Sequence, residues 1–352
     1  MTDLDMKITE AMHRIEELYY ETDGRCYLSF SGGKDSTVIL ALIKMCEEIY
    51  TIPENAIPAV YGNTGIEMGV IVDFVRWIKQ NYYSNVIEIR PAVSFDWVLK
   101  NKGYPLKSKL KSEYIGRWQS GNRSRTVIQN MIDGKTNTGK GAWKIKLSDK
   151  DMHMLHDDFP IKASKKCCEY LKKKPFHDYA NANGMKGQMT GLRISEGGAR
   201  ELNASTRKLA DSNHVCTSVD AKGFIKKAPL IDWTDEDVDT FIDRYNVPLS
   251  KAYTEYAFHR TGCMACPYSF KWLPHSLQYL HDHEPNRYKA AMHWLKDVYI
   301  AQNVELPFDR EYEREREKMW REVYEPMRQE MLRKYRPNSH LIKDGEQLTL
   351  FD

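Results

Sequence analysis

The stretch Ser31-Gly32-Gly33-Lys34-Asp35-Ser36 is the part of this chain best suited to chemistry. Adjacent glycines allow the backbone to approach a ligand closely. The amides opening a following helix present the positive end of its dipole, a setting for phosphate or pyrophosphate. Lys34 adds a full charge. The nucleoside triphosphatase P-loop requires a glycine where Leu28 stands and Ser or Thr where Asp35 stands, so this turn is of another kind. A second candidate set is the adjacent pair Cys167-Cys168, Cys216 midway along the chain, and Cys263-x-x-Cys266. Thiolates ligate iron–sulfur clusters and structural zinc alike, and buried thiols are the inert alternative.

These residues need elements to place them. Met12, Ile15 and Leu18 recur at helical spacing before Gly24, Cys26–Phe30 is a short apolar strand, and Ser36–Cys46 is helical with Val38, Ile39, Leu42 and Ile43 on its buried side. Cys26 and Cys46 are therefore expected in the core. Residues 56–61 repeat the strand signal, 70–78 the helix and 86–89 the strand. That alternation predicts an α/β fold with a doubly wound parallel sheet. Residues 187–194 return to the sheet, and Thr234 with Asp237 forms a capping box ahead of Val238, Phe241 and Ile242. A nucleotide-binding domain over 1–290 is expected, then a helical appendage over 291–336 kinked at Pro326, then a flexible tail over 337–352.

At 352 residues, 41% hydrophobic and 29% charged, the composition excludes a disordered chain or a fibre. No apolar run approaches the roughly 20 residues of a spanning helix, and the amino terminus has no apolar signal centre. A cytoplasmic protein with no membrane contact is expected. The net charge of +3 hides a local excess: residues 101–150 carry twelve Lys or Arg against three acids, and the remainder is net negative. There the apolar periodicity collapses, which predicts an exposed basic insertion. Lys107, Lys109, Lys111, Arg117, Arg123 and Arg125, interleaved with Tyr104, Tyr114 and Trp118, offer phosphate contacts and base stacking to a nucleic acid.

Taken together, these motifs resemble the phosphoadenosine phosphosulfate reductase branch of the adenine nucleotide alpha-hydrolase superfamily. Ser31–Ser36 looks like its pyrophosphate loop, Asn63-Thr64-Gly65 like its Asp-Thr-Gly, and Gly191-Leu192-Arg193 with Glu196 and Arg200 like its Gly-x-Arg-x-x-Glu block. Pro229–Thr234, Tyr253 and Arg260–Pro267 extend the similarity over roughly residues 20–290. The resemblance implies that the loop, Asn63, Thr64, Gly65, Gly191, Arg193, Glu196 and Arg200 contact nucleotide. The cysteine pattern resembles the four-iron four-sulfur ligands of adenylylsulfate reductases, with Cys216 able to replace Cys167 and zinc the competing metal. Two departures stand out: Asn63 replaces an aspartate, and no cysteine follows Cys266, whereas the reductases attack with a cysteine in a carboxy-terminal tail.

The expected function is ATP-dependent adenylation, releasing AMP and pyrophosphate, in sulfur transfer to a nucleic acid. In it Lys34 neutralises pyrophosphate, and Asp35 fixes the loop or places magnesium. The expected partners are a nucleic acid and a cysteine desulfurase or other sulfur donor. The alternatives are a sulfonucleotide-binding enzyme using an external thiol, and a nucleotide- or redox-sensing module. Gln347-Leu348-Thr349-Leu350-Phe351 resembles the peptide by which bacterial replication and repair proteins dock on the DNA sliding clamp. That adds Gln347, Leu348, Leu350 and Phe351 as partner-binding residues.

Overall fold

The computed structural model describes residues 2–50, 52–135, 145–196 and 216–342. The side chain of Glu196, Arg200, and the terminal Gln347, Leu348, Leu350 and Phe351 lie outside the described residues. The chain forms two compact units, residues 1–92 with 171–263 and residues 93–170 with 264–352, a division that differs from the expected single domain to residue 290.

The first unit is built on a six-stranded sheet. Helix α1 (Asp3–Glu21) leads into β1 (Cys26–Phe30), α2 (Lys34–Ile49), β2 (Ala59–Gly62), α3 (Gly69–Asn81) and β3 (Val86–Ile89). After the second unit's first segment come α4 (Lys174–Ala182), β4 (Gly187–Met189), β5 (Thr217–Val219), β6 (Ile225–Lys227) and α5 (Asp235–Tyr245). The strand order is β3-β2-β1-β4-β6-β5, all parallel except β5. The parallel, doubly wound sheet is thus present, with one antiparallel edge strand added. Order reverses between β1 and β4, and such a switch point opens a crevice at the carboxyl ends of the strands.

Side-chain alternation divides β1 between two faces. Cys26, Leu28 and Phe30 join a core with Ile15 and Leu18 of α1, most of α2, and Trp233, Val238 and Phe241. Tyr27 instead joins Val60 and Ala180, against Phe176 and Tyr179 of α4. Burying α2 between this core and the sheet sets the direction in which its amino terminus points. Thr234 and Asp237 form the capping box that starts α5.

The second unit corrects two expectations. Segment 101–150 is not merely an exposed insertion: Leu106, Ile115, Trp118, Met131 and Leu147 are buried, and Trp118 Nε1 donates to Leu155 O at 2.7 Å. Its apolar residues are few and widely spaced, so their periodicity is faint, yet they suffice once a second layer covers them. That layer is the supposed appendage. Tyr324, Met331 and Leu332 are buried, and the Arg336 guanidinium donates to Ile132 O at 2.9 Å and Leu147 O at 2.6 Å. The break near Pro326 is a π-type turn, Trp320–Tyr324, and Pro326, which has no N–H to give, sits at the start of the next helix, Glu325–Tyr335. No described helix is long and apolar enough to cross a membrane.

Candidate nucleotide-binding site

The glycine turn lies at the carboxyl end of β1, where strand order reverses. Gly32 has φ +68°, a left-handed conformation that a side chain would strain. Gly33 caps α2, a 16-residue helix, with no side-chain hydrogen bond of its own. A Cβ on Gly33 would meet Thr261 Oγ1 at 2.8 Å. The loop is held from within by Ser36, which is buried: its Oγ donates to Gly33 O at 2.9 Å and stands 3.1 Å from Ser31 Oγ. Thr37 Oγ1 donates to the same carbonyl at 3.0 Å. Ser36 therefore shapes the turn. Tyr253 closes one side, accepting the Lys34 N–H at 3.3 Å.

Lys34 Nζ pairs with Asp239 of α5 at 2.8 Å, and the aspartate is well exposed. An incoming phosphate would compete with that carboxylate for a lysine already placed at the mouth of the turn.

Arg193, beyond β4, is buried. Its Nε donates to Asp35 Oδ1 at 2.9 Å, Nη1 to Ser195 Oγ at 3.0 Å and Nη2 to Asp235 at 2.6 Å. Burial pushes the Asp35 carboxyl up from the usual carboxylate range, opposed chiefly by Arg193. Gly191 has no room for a side chain, since a Cβ would stand 2.8 Å from Asp35 Cβ. These contacts give Arg193 and Asp35 a loop-positioning task. A magnesium ion would then arrive on the phosphates of a nucleotide, the usual manner for this ion.

Asn63 resolves the departure from Asp-Thr-Gly. Its Oδ1 accepts the Gly65 N–H at 3.0 Å while its Nδ2 donates to Glu88 Oε1 at 2.9 Å. Only an amide can do both, and an aspartate would set two carboxylates together. Thr64 Oγ1 donates to Glu67 Oε1 at 2.8 Å, which fixes the turn after β2.

The cysteines fall in both units. Cys26 and Cys46 are buried in the core, as expected. Cys216 lies in the first unit, 3.5 Å from Thr217 Oγ1, as does Cys263, 3.8 Å from Glu67 Oε1. Cys167, Cys168 and Cys266 belong to the second unit, around Tyr268, whose hydroxyl is pushed up by burial and by these thiols. Among the described residues no three His, Cys, Asp or Glu side chains are arranged to hold a metal ion. No chemical step is derived from a cluster or from zinc.

Half of the basic set is paired with acids. Lys107 pairs with Asp151 at 2.7 Å, Arg117 with Glu113 at 2.7 Å, and Arg123 with Asp157. Lys111 is half-buried and Trp118 is core, while Lys109 and Arg125 are exposed. Acids distant in sequence supply partners that a local charge count cannot reveal. The residues missed by sequence reasoning are Asp239 and Asp235, read only as part of a capped helix, and Thr261, which lies in a quoted motif with no task assigned.

The pattern of the phosphoadenosine phosphosulfate reductase domain family matches residues 25–129 and 121–269. No curated protein sequence matches the chain. Among solved structures, phosphoadenylyl-sulfate reductase from Candida auris, in a phosphate complex, aligns at 14% identity and TM-score 0.41, covering 75% of this chain and 96% of that one. FMN adenylyltransferase from Candida glabrata, in complex with FAD and inorganic pyrophosphate, aligns at 14% identity and TM-score 0.41, covering 74% of this chain and 63% of that one.

Proposed function

The chain belongs to the phosphoadenosine phosphosulfate reductase domain family, and from that premise we propose that it is an ATP-dependent adenylating enzyme. A substrate oxygen attacks the α-phosphorus of ATP, the α–β bond breaks, and pyrophosphate leaves into the Ser31–Ser36 turn. A sulfur nucleophile then attacks the substrate atom that bears the adenylated oxygen, and AMP leaves with that oxygen. We take the acceptor to be a nucleic acid, the sulfur to come from a cysteine desulfurase or similar donor, and the setting to be the cytoplasm.

The observation that carries the reading is the side-chain-free turn at Gly33, braced by Ser36 and Tyr253, with Lys34 at its mouth. Fixed amides and a charge aimed at a leaving group stabilise what develops in the transition state. The test is exchange of labelled pyrophosphate into ATP in the presence of a nucleic-acid acceptor. We expect exchange with the native chain and its loss in Lys34→Ala and Ser31→Ala; unchanged exchange in both variants removes the assignment.

The family match favours a second reading, binding of a sulfonucleotide with reduction by an external thiol. Tight phosphoadenosine phosphosulfate binding together with no pyrophosphate exchange would select it.

A further inference from the structure

On the α4 face of the sheet, Tyr27 of β1 and Gln188 of β4, together with α4 and the turn before β6, line a cavity of about 550 Å³. Its floor is apolar: Phe176 stacks on Tyr27 with ring centroids 6.2 Å apart and planes 13° off parallel, and Phe224 packs against the same cluster. Its rim carries Lys172, Lys173, Lys186, Lys222 and Lys226, against one carboxylate, Asp220. That carboxylate accepts the backbone N–H groups of Lys222 at 2.8 Å and Phe224 at 3.1 Å, so it serves the turn that presents these residues. Lys186 is paired with Asp23 at 2.9 Å and Lys172 lies 3.7 Å from Glu67, whereas Lys173, Lys222 and Lys226 are exposed. Tyr27 precedes Ser31 by four residues on one strand, so the groove starts about 13 Å from the glycine turn.

We propose that this groove binds a single-stranded nucleic-acid segment, with the lysines on its phosphates and an unstacked base against the aromatic floor. Lysines around flat rings match a polymer that alternates anionic phosphate with planar bases. A duplex would reach the rim but keep its bases from the floor, and an acidic peptide would meet the charge and leave the rings uncovered. The inference rests on the reading above only for the kind of polymer; the cavity and its charge are independent of ATP chemistry.

The test uses the full chain, without ATP, and fluorescein-labelled 12-nucleotide DNA and RNA of one sequence, followed by anisotropy at several salt concentrations. Five phosphate contacts to a single strand predict a log–log salt slope of about −3.5. The exposed triple variant Lys173→Glu/Lys222→Glu/Lys226→Glu should weaken binding at least tenfold and reduce the slope by about 2. Phe224→Ala should cost roughly fivefold or more with the slope unchanged, as expected of lost stacking. Whichever of DNA and RNA binds more tightly identifies the natural strand. Absence of binding, binding indifferent to the triple variant, or equal competition by the matching duplex or a polyglutamate peptide would each overturn the groove. Strand binding with no exchange leaves the groove standing and removes adenylation, and exchange with no strand binding does the reverse.

Discussion

Arg193 Nε donates to Asp35 Oδ1 across 2.9 Å, tying the segment after β4 to the first turn of α2 at the point where strand order reverses. The pair holds the glycine turn at a set angle, and its energetics are those of a buried ion pair. Arg193→Met would leave Asp35 desolvated with its main counter-charge gone. We expect about 3 kcal/mol of lost stability by urea denaturation, a cost typical of removing one partner of such a pair. Arg193→Lys should recover little, because one ammonium cannot reach Asp35, Ser195 and Asp235 together.

Gly33→Ala tests the close approach. The new methyl would stand 2.8 Å from Thr261 Oγ1 and 3.2 Å from Ser31 Oγ, on the ligand-facing side of the turn. Nucleotide affinity by equilibrium dialysis should fall at least tenfold. The melting temperature should drop by only a few degrees, because the methyl lies outside the core. Thr261→Gly in the same chain should restore part of the affinity.

Asn63→Asp reverts this chain to the resembled motif and should cost stability. The new carboxylate would lie beside Glu88 Oε1, now 2.9 Å from the amide nitrogen. Burial would raise the Glu88 carboxyl, but the bonds from Asn63 and Arg90 hold it low. With like charges facing each other, one of them must take up a proton, so the folded-state value is raised. The deficit, about 1 kcal/mol at pH 7, should shrink as pH falls toward 5. A deficit that grows with acid counts against the geometry.

His153 gives the second unit its acid sensitivity. Burial lowers its imidazole to about 4, despite the bond between Nε2 and Ala301 O at 2.8 Å. Buried Asp151 opposes the shift, and Lys107 and Arg328 reinforce it. The folded value lies below the ordinary 6.5, so the stabilising contribution is present above about pH 6.5 and is lost as pH falls toward 4. Between pH 7 and 5 the native chain should lose about 2 kcal/mol more than His153→Leu, measured from urea transitions.

Cys216→Ser should leave bound iron or zinc unchanged, since three other thiols, those of Cys167, Cys168 and Cys266, already gather around Tyr268. Metal analysis after anaerobic purification checks this, and loss of metal in that variant alone would place Cys216 among the ligands.

Local order along the chain was enough to foresee the β1–turn–α2 unit, the strands at 59–62 and 86–89, the α5 capping box and the turn at residues 31–36. Each depends on neighbours within a few positions, where apolar period and glycine or capping chemistry act directly. The pairing of charges was not legible. Lys107 with Asp151, Lys34 with Asp239 and Arg193 with Asp35 join residues separated by 44, 205 and 158 positions. Nothing in a linear pattern of charge tells a solvated lysine from a neutralised one. The same holds for Trp118, which reads as a stacking ring among lysines and is core, with Tyr335 edge-on against it at 5.6 Å. The groove under α4 gathers residues from three distant stretches, because parallel strands bring positions 27, 188 and 226 side by side. Residue type and short-range spacing determined the elements and the glycine turn; which charges remain available, and which aromatic faces remain open, were decided by long-range packing alone.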